Sequence, residues 1–580
     1  MHDLAARLDR TPTPFSLIEE VAQRRGNHPA LIFMRTAADR EPVIVTYGQL
    51  LEQVTRTIGA LRRLDIAEDE GIAILLPAMP EAVVALLAAS SVGVAFPLNL
   101  LLAAPAMRAQ LELARTRAVF VLGPHPALDV RGRLQLAAQD LAGLETVIEV
   151  PVEPASEASS WRAFLDTSLT QSSFAGSPDR VAALFHTGGT TGEPKLAELS
   201  ARNVAAGALM MAAANRWRHD ERICSGLPMF HVGGAISCGL SALASGATLI
   251  FPSLLGARDP EVVRSIWTLL AQSQATVLTM VPTSLAAVVD VPLAGANLSA
   301  LRAVCTGASS LPRELGTRLE AKLAKPVCQI YGMTEMSGCC TAQPCDGQFR
   351  EPAVGFPPPL LEIALRGSGG AGRGEVHMRG PNAFQGYRTK AGRLMRSPED
   401  WVASGDLGGF LPDGQLRLAG RSKDVIIRSG HNIDPLMIEE VAQQHPAVRV
   451  AAAAPMPDEY AGELPVLYVA LKAGAAATAE DIENFVAQRI AEPPARPKRV
   501  FILEDLPLTP FGKIARYKLR QAAAVQRAQD CLPAPEHAEL SCEDPAAKTI
   551  FVRWTRAPAA EVLAEFRKAS SLLGLTIELQ

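Results

Sequence analysis

Short apolar runs alternate with Ala- and Leu-rich stretches of helical length, and this alternation limits the fold more than any other feature. The runs Gly71–Leu76, Ala118–Leu122, Thr276–Val281 and Ala303–Thr306 carry no charged residue. A strand that is apolar on both sides needs cover on both faces, as parallel sheets flanked by helices provide. The expected fold class is therefore α/β, with parallel sheets covered by helices. Two longer uncharged segments, Ala82–Met107 and Val232–Ala257, reach the length of a membrane span. Ser90, Ser91, Gly93, Pro97 and Asn99 interrupt the first, and Gly233, Gly234, Gly239 and Gly246 the second. Both read as buried α/β segments. The first is expected as a helix over Glu81–Ser90 followed by a strand over Val92–Pro97.

The chain of 580 residues is long enough for more than one domain. Hydrophobic residues make up 48% and charged residues 20%, with a net charge of -4, which excludes a mostly disordered chain and bulk attraction to nucleic acid or anionic lipid. Met1–Arg10 contains Asp3 and Asp9 and no apolar core, unlike a secretory signal. The nine cysteines are an odd number in a large chain, which suits reduced thiols in a cytoplasm. Cys339, Cys340 and Cys345 cluster as CCTAQPC, but without the C-x-x-C or His pairs that a zinc site takes. A metal role for this cluster is not expected.

Organisation changes near Arg366–Gly374, a Gly-rich stretch before the strand-like Glu375–Arg379. Turn chemistry at Pro412-Asp413-Gly414 then separates short strands within Gly405–Ile427. A βαβ-like series follows: strands near Val448–Ala454 and Val466–Leu471, a helix over Ala479–Ile490 and a strand over Arg499–Leu503. Beyond Arg520 the chain reads as polar and Pro-containing through Pro535. Lys548–Trp554, Ala559–Ser571 and Leu575–Leu579 then read as strand, helix, strand.

The strongest local signal is His186-Thr-Gly-Gly-Thr-Thr-Gly-Glu-Pro-Lys195, after the apolar run Val181–Phe185. Glycines let backbone amides approach phosphate oxygens, Thr187, Thr190 and Thr191 add hydroxyl donors, and Lys195 supplies a cation. It is not the G-x-x-x-x-G-K-[ST] loop. Gly367–Gly372 matches G-x-G-x-x-G by letter, but it precedes a strand instead of opening a helix and reads as a hairpin loop.

Five further segments accompany this loop: Leu227-Pro-Met-Phe-His231, Tyr331-Gly-Met-Thr-Glu335, Ser404-Gly-Asp-Leu407, Gly420-Arg-Ser-Lys-Asp424 and Thr509-Pro-Phe-Gly-Lys-Ile514. In this order they resemble the motifs of the adenylate-forming superfamily, which includes acyl-CoA synthetases, firefly luciferase and the adenylation domains of peptide synthetases. The resemblance runs from about Phe15 to Arg520. It implies a large domain of parallel sheets plus a distorted barrel over residues 1–420 and a hinge at 421–424. It further implies a smaller mobile α+β domain over 425–525, and leaves 526–580 as an appended subdomain of unknown role.

The resemblance also implies a chemistry and a set of roles. An acid would be joined to AMP with release of pyrophosphate, then passed to CoA as a thioester. Thr187, Gly188, Gly189, Thr190, Thr191, Gly192 and Lys195 would hold the ATP phosphates. Glu335 would bind Mg²⁺ and Thr334 the α-phosphate. Tyr331 would stack on adenine opposite Gly307 and Ala308, with Gly332 and Met333 beside it. Asp406 would bind the ribose hydroxyls, helped by Arg421, and Lys513 would bridge the acyl carboxylate and the α-phosphate. Lys423 stands at the hinge, Gly430 on the CoA path, and His231 at the thiol entry to the acyl pocket. Gly234, Val281, Cys305, Gly332 and Met336 would line that pocket. Gly188 replaces the family's usual Ser, Ser404 its usual Thr, and Leu196-Ala197 its usual Gly-Val.

No acid occurs in Phe230–Gly234, where amino-acid-activating relatives place an Asp for the substrate ammonium, so a free amino acid is not expected. The mostly apolar pocket suits a fatty, alicyclic or aromatic acid. The expected cofactors are ATP, Mg²⁺ and CoA. The expected partners are small molecules, with no nucleic acid, no integral membrane segment and a homodimer left open. The competing readings are an acyl-AMP ligase serving a carrier protein and a non-catalytic nucleotide-binding relative.

Overall fold

The computed structural model describes residues 2–126, 128–152, 160–166, 176–187, 194–345, 353–367, 373–421, 424–429, 431–509, 513–532, 537–544, 546–556 and 558–579. Two eight-stranded sheets form the large part of the molecule. The first runs, in spatial order, Thr341–Ala342, Val327–Tyr331, Ala303–Gly307, Val277–Thr279, Arg222–Ser225, Thr248–Phe251, Pro29–Phe33 and Val43–Thr46. Its inner strands are parallel and only the two edge strands are antiparallel. The second centres on the parallel strands Val94–Pro97, Gly71–Leu75, Thr116–Leu122 and Thr146–Val150. Val181–His186 joins them in parallel, and the antiparallel hairpin partner Leu196–Ser200 follows.

The uncharged segments fold inward. Helix Pro80–Val92 buries every residue from Ala82 to Ser91, and strand Val94–Pro97 follows at the expected place. Gly93 makes the tight link, since a Cβ there would lie 2.9 Å from the Glu70 carbonyl oxygen. Val232–Ala257 becomes a π-wound helix, Gly233–Leu240, the short helix Ser241–Ala244 and strand Thr248–Phe251. No helix among the described residues is long and apolar enough to cross a membrane.

The hairpin-rich region forms a five-stranded antiparallel sheet: Ala353–Gly355, Leu416–Arg421, Val402–Phe410, Arg373–Arg379 and Glu362–Arg366. An isolated bridge between Ala342 and Phe356 ties it to the first large sheet.

The C-terminal sheet pairs the long strands Val448–Asp458 and Gly462–Leu471, with Val500–Leu503 parallel to the latter across helix Ala479–Arg489. Period-2 alternation splits its side chains between two cores. Ala451, Ala453, Leu467 and Val469 face helices Pro435–Gln443 and Ala479–Arg489, while Ala452, Ala454, Val466 and Tyr468 face helix Arg516–Asp530.

That last helix occupies most of the stretch beyond Arg520 that reads as polar and Pro-containing. Leu519, Ala523, Ala524 and Ala528 form an apolar stripe among the charged residues. Leu519 and Ala523 pack on the C-terminal sheet, whereas Ala524 and Ala528 enter a further core with Ile550, Val552 and Phe566. This core belongs to a tail unit with strands Ala538–Ser541, Thr549–Trp554 and Thr576–Leu579 and helix Ala560–Leu572. The residue pair 525/526, expected to divide two domains, thus lies inside a continuous helix.

Candidate active site

Four adjacent parallel strands of the first large sheet end on one side, and the motif residues follow their carboxyl ends. Gly307 closes Ala303–Gly307, Tyr331 closes Val327–Tyr331, Val281 lies just past Val277–Thr279, and Leu227–His231 follows Arg222–Ser225. Ligands of open α/β sheets bind at such carboxyl ends. Ala308 holds φ +72°, a left-handed conformation that costs a non-glycine residue energy and recurs at functional sites.

Tyr331 and Asp406 are joined directly. The Tyr331 hydroxyl donates to Asp406 Oδ2 at 2.5 Å, and Arg421 Nε donates to Oδ1 at 3.1 Å. Strand register explains this, because Asp406 and Arg421 are cross-strand partners in the five-stranded sheet. The backbone of the Ser404-Gly-Asp turn is fixed as well. Asp406 N–H donates to Ser404 Oγ at 3.0 Å, and Gly405 N–H donates to Glu375 Oε1 at 3.1 Å. Burial, and then the Asp406 charge, push the Tyr331 phenol far above its ordinary range.

Thr334–Met336 is a single 3₁₀ turn clamped from beneath. Asn382 Nδ2 donates to the carbonyls of Met336 and Cys339, each at 2.8 Å, and Phe384 N–H donates to the Glu335 carbonyl at 2.9 Å. The Tyr387 hydroxyl donates to Glu335 Oε1 at 2.7 Å. Burial, and then the charge of Glu335, raise the Tyr387 phenol, so it stays a donor at every physiological pH. With Oε1 held, Oε2 is the oxygen that a hard cation would use, and a carboxylate among phosphate oxygens is the donor set Mg²⁺ takes.

His231 lies two residues before the π-wound helix and accepts the Gly233 N–H on Nδ1 at 3.0 Å, which leaves the ring proton on Nε2. Burial, then the nearby charge of Lys513, and then His186 lower its pKa to about 3. Burial lowers His186 to about 4. Both rings are neutral at physiological pH. Gly234 packs so tightly that a Cβ would sit 2.1 Å from the Pro228 carbonyl oxygen.

Lys513 reaches this cleft from the C-terminal part of the chain. Leu508 and Ile514 bridge its hairpin, and the Thr509 N–H donates to the Lys513 carbonyl at 2.6 Å. Burial first, and then Arg421, lower the ammonium to about 8, against the pull of Asp406. Lys513, His231, Asp406 and Arg421 therefore share one electrostatic environment.

Other expected site residues are placed as follows. Thr187 and Lys195 flank the loop expected to hold phosphate, and the Thr187 N–H donates to the Lys195 carbonyl at 3.2 Å. Gly188, Gly189, Thr190, Thr191, Gly192, Lys423 and Gly430 lie outside the described residues. Gly332 meets the backbone of Gly338, where a Cβ would lie 2.2 Å from the carbonyl oxygen. Met336 is fully buried in the main core. Cys305 turns its thiol toward Cys345, 3.5 Å away. Tyr387 and His186 were missed as site residues. Tyr387 follows none of the quoted motifs; the pairing of Gly386–Thr389 with Leu196–Ser200 and the Phe384 bond to Glu335 carry it there.

The AMP-binding enzyme model matches residues 18–388, and a model of the AMP-binding enzyme C-terminal domain matches 437–513. The chain belongs to the AMP-binding enzyme family. Among relatives of this AMP-binding enzyme, the marinolic acid–CoA ligase of Pseudoalteromonas sp. (strain SANK 73390) is 30% identical over 511 residues, 84% of this chain and 78% of that protein. The indoleacetate–CoA ligase of Aromatoleum aromaticum (strain DSM 19018 / LMG 30748 / EbN1) is 30% identical over 518 residues, 87% of this chain and 98% of that protein. The crystal structure of a benzoate CoA ligase from Burkholderia xenovorans LB400 superposes with a TM-score of 0.73 at 26% identity, covering 88% of this chain and 99% of that one. The fold is that of the adenylate-forming enzymes. Both family matches end before the tail unit.

Proposed function

We propose that this AMP-binding enzyme is an acid–thiol ligase that activates a carboxylic acid with ATP and transfers the acyl group to CoA. The observation that carries the reading is the arrival of Lys513 in the cleft that holds Asp406, Arg421 and His231. A cation there meets the need of the first step, in which two anions must approach. A carboxylate oxygen attacks the α-phosphorus, the bond to the β-phosphate oxygen breaks, and pyrophosphate leaves. In the second step the CoA sulfur attacks the acyl carbon, AMP leaves with the carboxylate-derived oxygen, and the thiol proton passes to solvent.

The chain's residues divide this work. Asp406 receives the ribose hydroxyls, and its bond to Tyr331 sets the adenine face relative to the ribose. Tyr387 fixes the Glu335 carboxylate, which would hold Mg²⁺; the ion, when bound, neutralises phosphate charge. Lys513 would bridge the acid and the α-phosphate. Neutral His231 borders the acyl entrance without adding a charge that would hold an anionic acid in the wrong place. Lys423 would act as hinge between 1–420 and 425–525, and Gly430 would leave room for pantetheine. The nine free cysteines support a reducing cytoplasm.

The absence of an acid in Phe230–Gly234 and the names of the relatives favour a fatty, alicyclic or aromatic acid. The test is AMP release from ATP, Mg²⁺ and a panel of fatty acids, benzoates, cinnamates and alicyclic acids, with and without CoA. CoA-dependent release with one class is expected. Acyl-AMP that accumulates unaffected by CoA would overturn CoA as acceptor and favour a carrier protein.

A further inference from the structure

The strand register brings together three cysteines that the sequence keeps apart. Cys305 and Cys328 are direct cross-strand partners on neighbouring parallel strands. Cys345 approaches them from the segment after Thr341–Ala342, with its sulfur 3.5 Å from that of Cys305. All three sulfurs lie within 4.8 Å of one another, and the three residues are at most 3% exposed. The CCTAQPC cluster is thus divided. Cys345 leaves Cys339 and Cys340 and joins two residues from other strands.

A second feature marks the site as one built for negative sulfur. Arg302 stands beside it, one position before the Cys305 strand. Its Nε donates to the fully buried Glu221 at 2.9 Å, but its buried Nη2 has no hydrogen-bond partner among the described residues. A buried unpaired guanidinium nitrogen is costly unless a negative group faces it.

We propose that Cys305, Cys328 and Cys345 form a three-sulfur site for a thiophilic cation, with monovalent copper as the ion that fits it. Structural zinc takes four ligands, and no fourth His, Cys, Asp or Glu among the described residues joins this cluster. Soft thiolates without imidazole or carboxylate select monovalent copper. With metal–sulfur bonds of about 2.3 Å, three sulfurs around one ion stand about 4 Å apart, which the present spacing accommodates with small side-chain rotations. The site bridges the two strands whose ends carry Gly307 and Tyr331, so an ion there would tie together the walls of the nucleotide cleft.

The test uses the reduced, metal-free full-length protein under anaerobic conditions, titrated with Cu(I) against a coloured Cu(I) chelator. One equivalent per chain should be withdrawn from the chelator. Cys345→Ser and Cys328→Ser should each lower that retention at least ten-fold, while Cys531→Ser/Cys542→Ser should leave it unchanged. A second readout needs no variant: Cu(I) should protect the peptides bearing Cys305, Cys328 and Cys345 from alkylation in the wild-type protein. Either of two results would overturn the site: no stoichiometric retention, or retention that survives Cys345→Ser in a protein with an unchanged melting temperature. Formation of a Cys305–Cys345 disulfide by hydrogen peroxide in a protein that retains no Cu(I) would replace it with a redox pair.

Discussion

In the proposed mechanism the charge on Lys513 sets the alkaline limit of the first half-reaction. Its ammonium titrates at about 8, below the ordinary 10.5, so the cation is present below that pH and lost above it. Pyrophosphate release at low ATP should therefore hold steady below pH 8 and fall above it. Bound polyphosphate favours the charged form, so the limb should move upward at saturating ATP. Lys513→Ala should slow adenylation by about 10²–10³-fold and abolish the limb, and an alkaline limb that persists in the variant would contradict the assignment. Tyr387→Phe removes the donor to Glu335 Oε1. The Mg²⁺ concentration for half-maximal rate should rise several-fold with little change in melting temperature, and an unchanged Mg²⁺ dependence would sink the positioning role. At this scale the sequence was legible where residues sit in contiguous words, such as Tyr331–Glu335 and Ser404–Asp406. Tyr387, Arg302 and the three joined cysteines were not, because register between distant strands brings each of them to its partners.

Helix Arg516–Asp530 shows how an element can serve two cores. Its Leu519/Ala523 side closes the C-terminal sheet and its Ala524/Ala528 side closes the tail. Arg516 also pairs with Glu439, a carboxylate only 5% exposed that accepts the Ala453 N–H at 2.7 Å. Truncation after residue 525 should thus expose apolar surface and cut the helix. It should lower the melting temperature more than truncation after Leu532, which keeps the helix whole. Equal melting temperatures for the two would contradict the shared-helix account. Apolar runs located several strands to within a residue or two, as with Ala303–Gly307 and Val500–Leu503. The helix beyond Arg520 was obscured because its buried stripe is mostly alanine among Gln, Arg and Asp, a weak hydrophobic contrast.

At the scale of the whole molecule, the cleft joins residues from 231 to 513, and the order of strands that builds it follows no reading along the chain. Local pattern reports strands, whereas the pairing of Pro29–Phe33 with Thr248–Phe251 is settled by packing over the whole large sheet. In the proposed mechanism two half-reactions share one cleft, and Lys513 leaves before the thiol arrives. The proposed CoA path passes Gly430. Gly430→Leu should therefore stop thioester formation while adenylation stays within a few-fold, and equal loss of both would argue against alternation. The most direct measurement uses the acid identified by the panel, labelled with ¹⁸O in its carboxylate, and weighs the AMP released. An acyl-adenylate intermediate predicts one ¹⁸O atom per AMP together with acyl-CoA. Unlabelled AMP alongside acyl-CoA would contradict it.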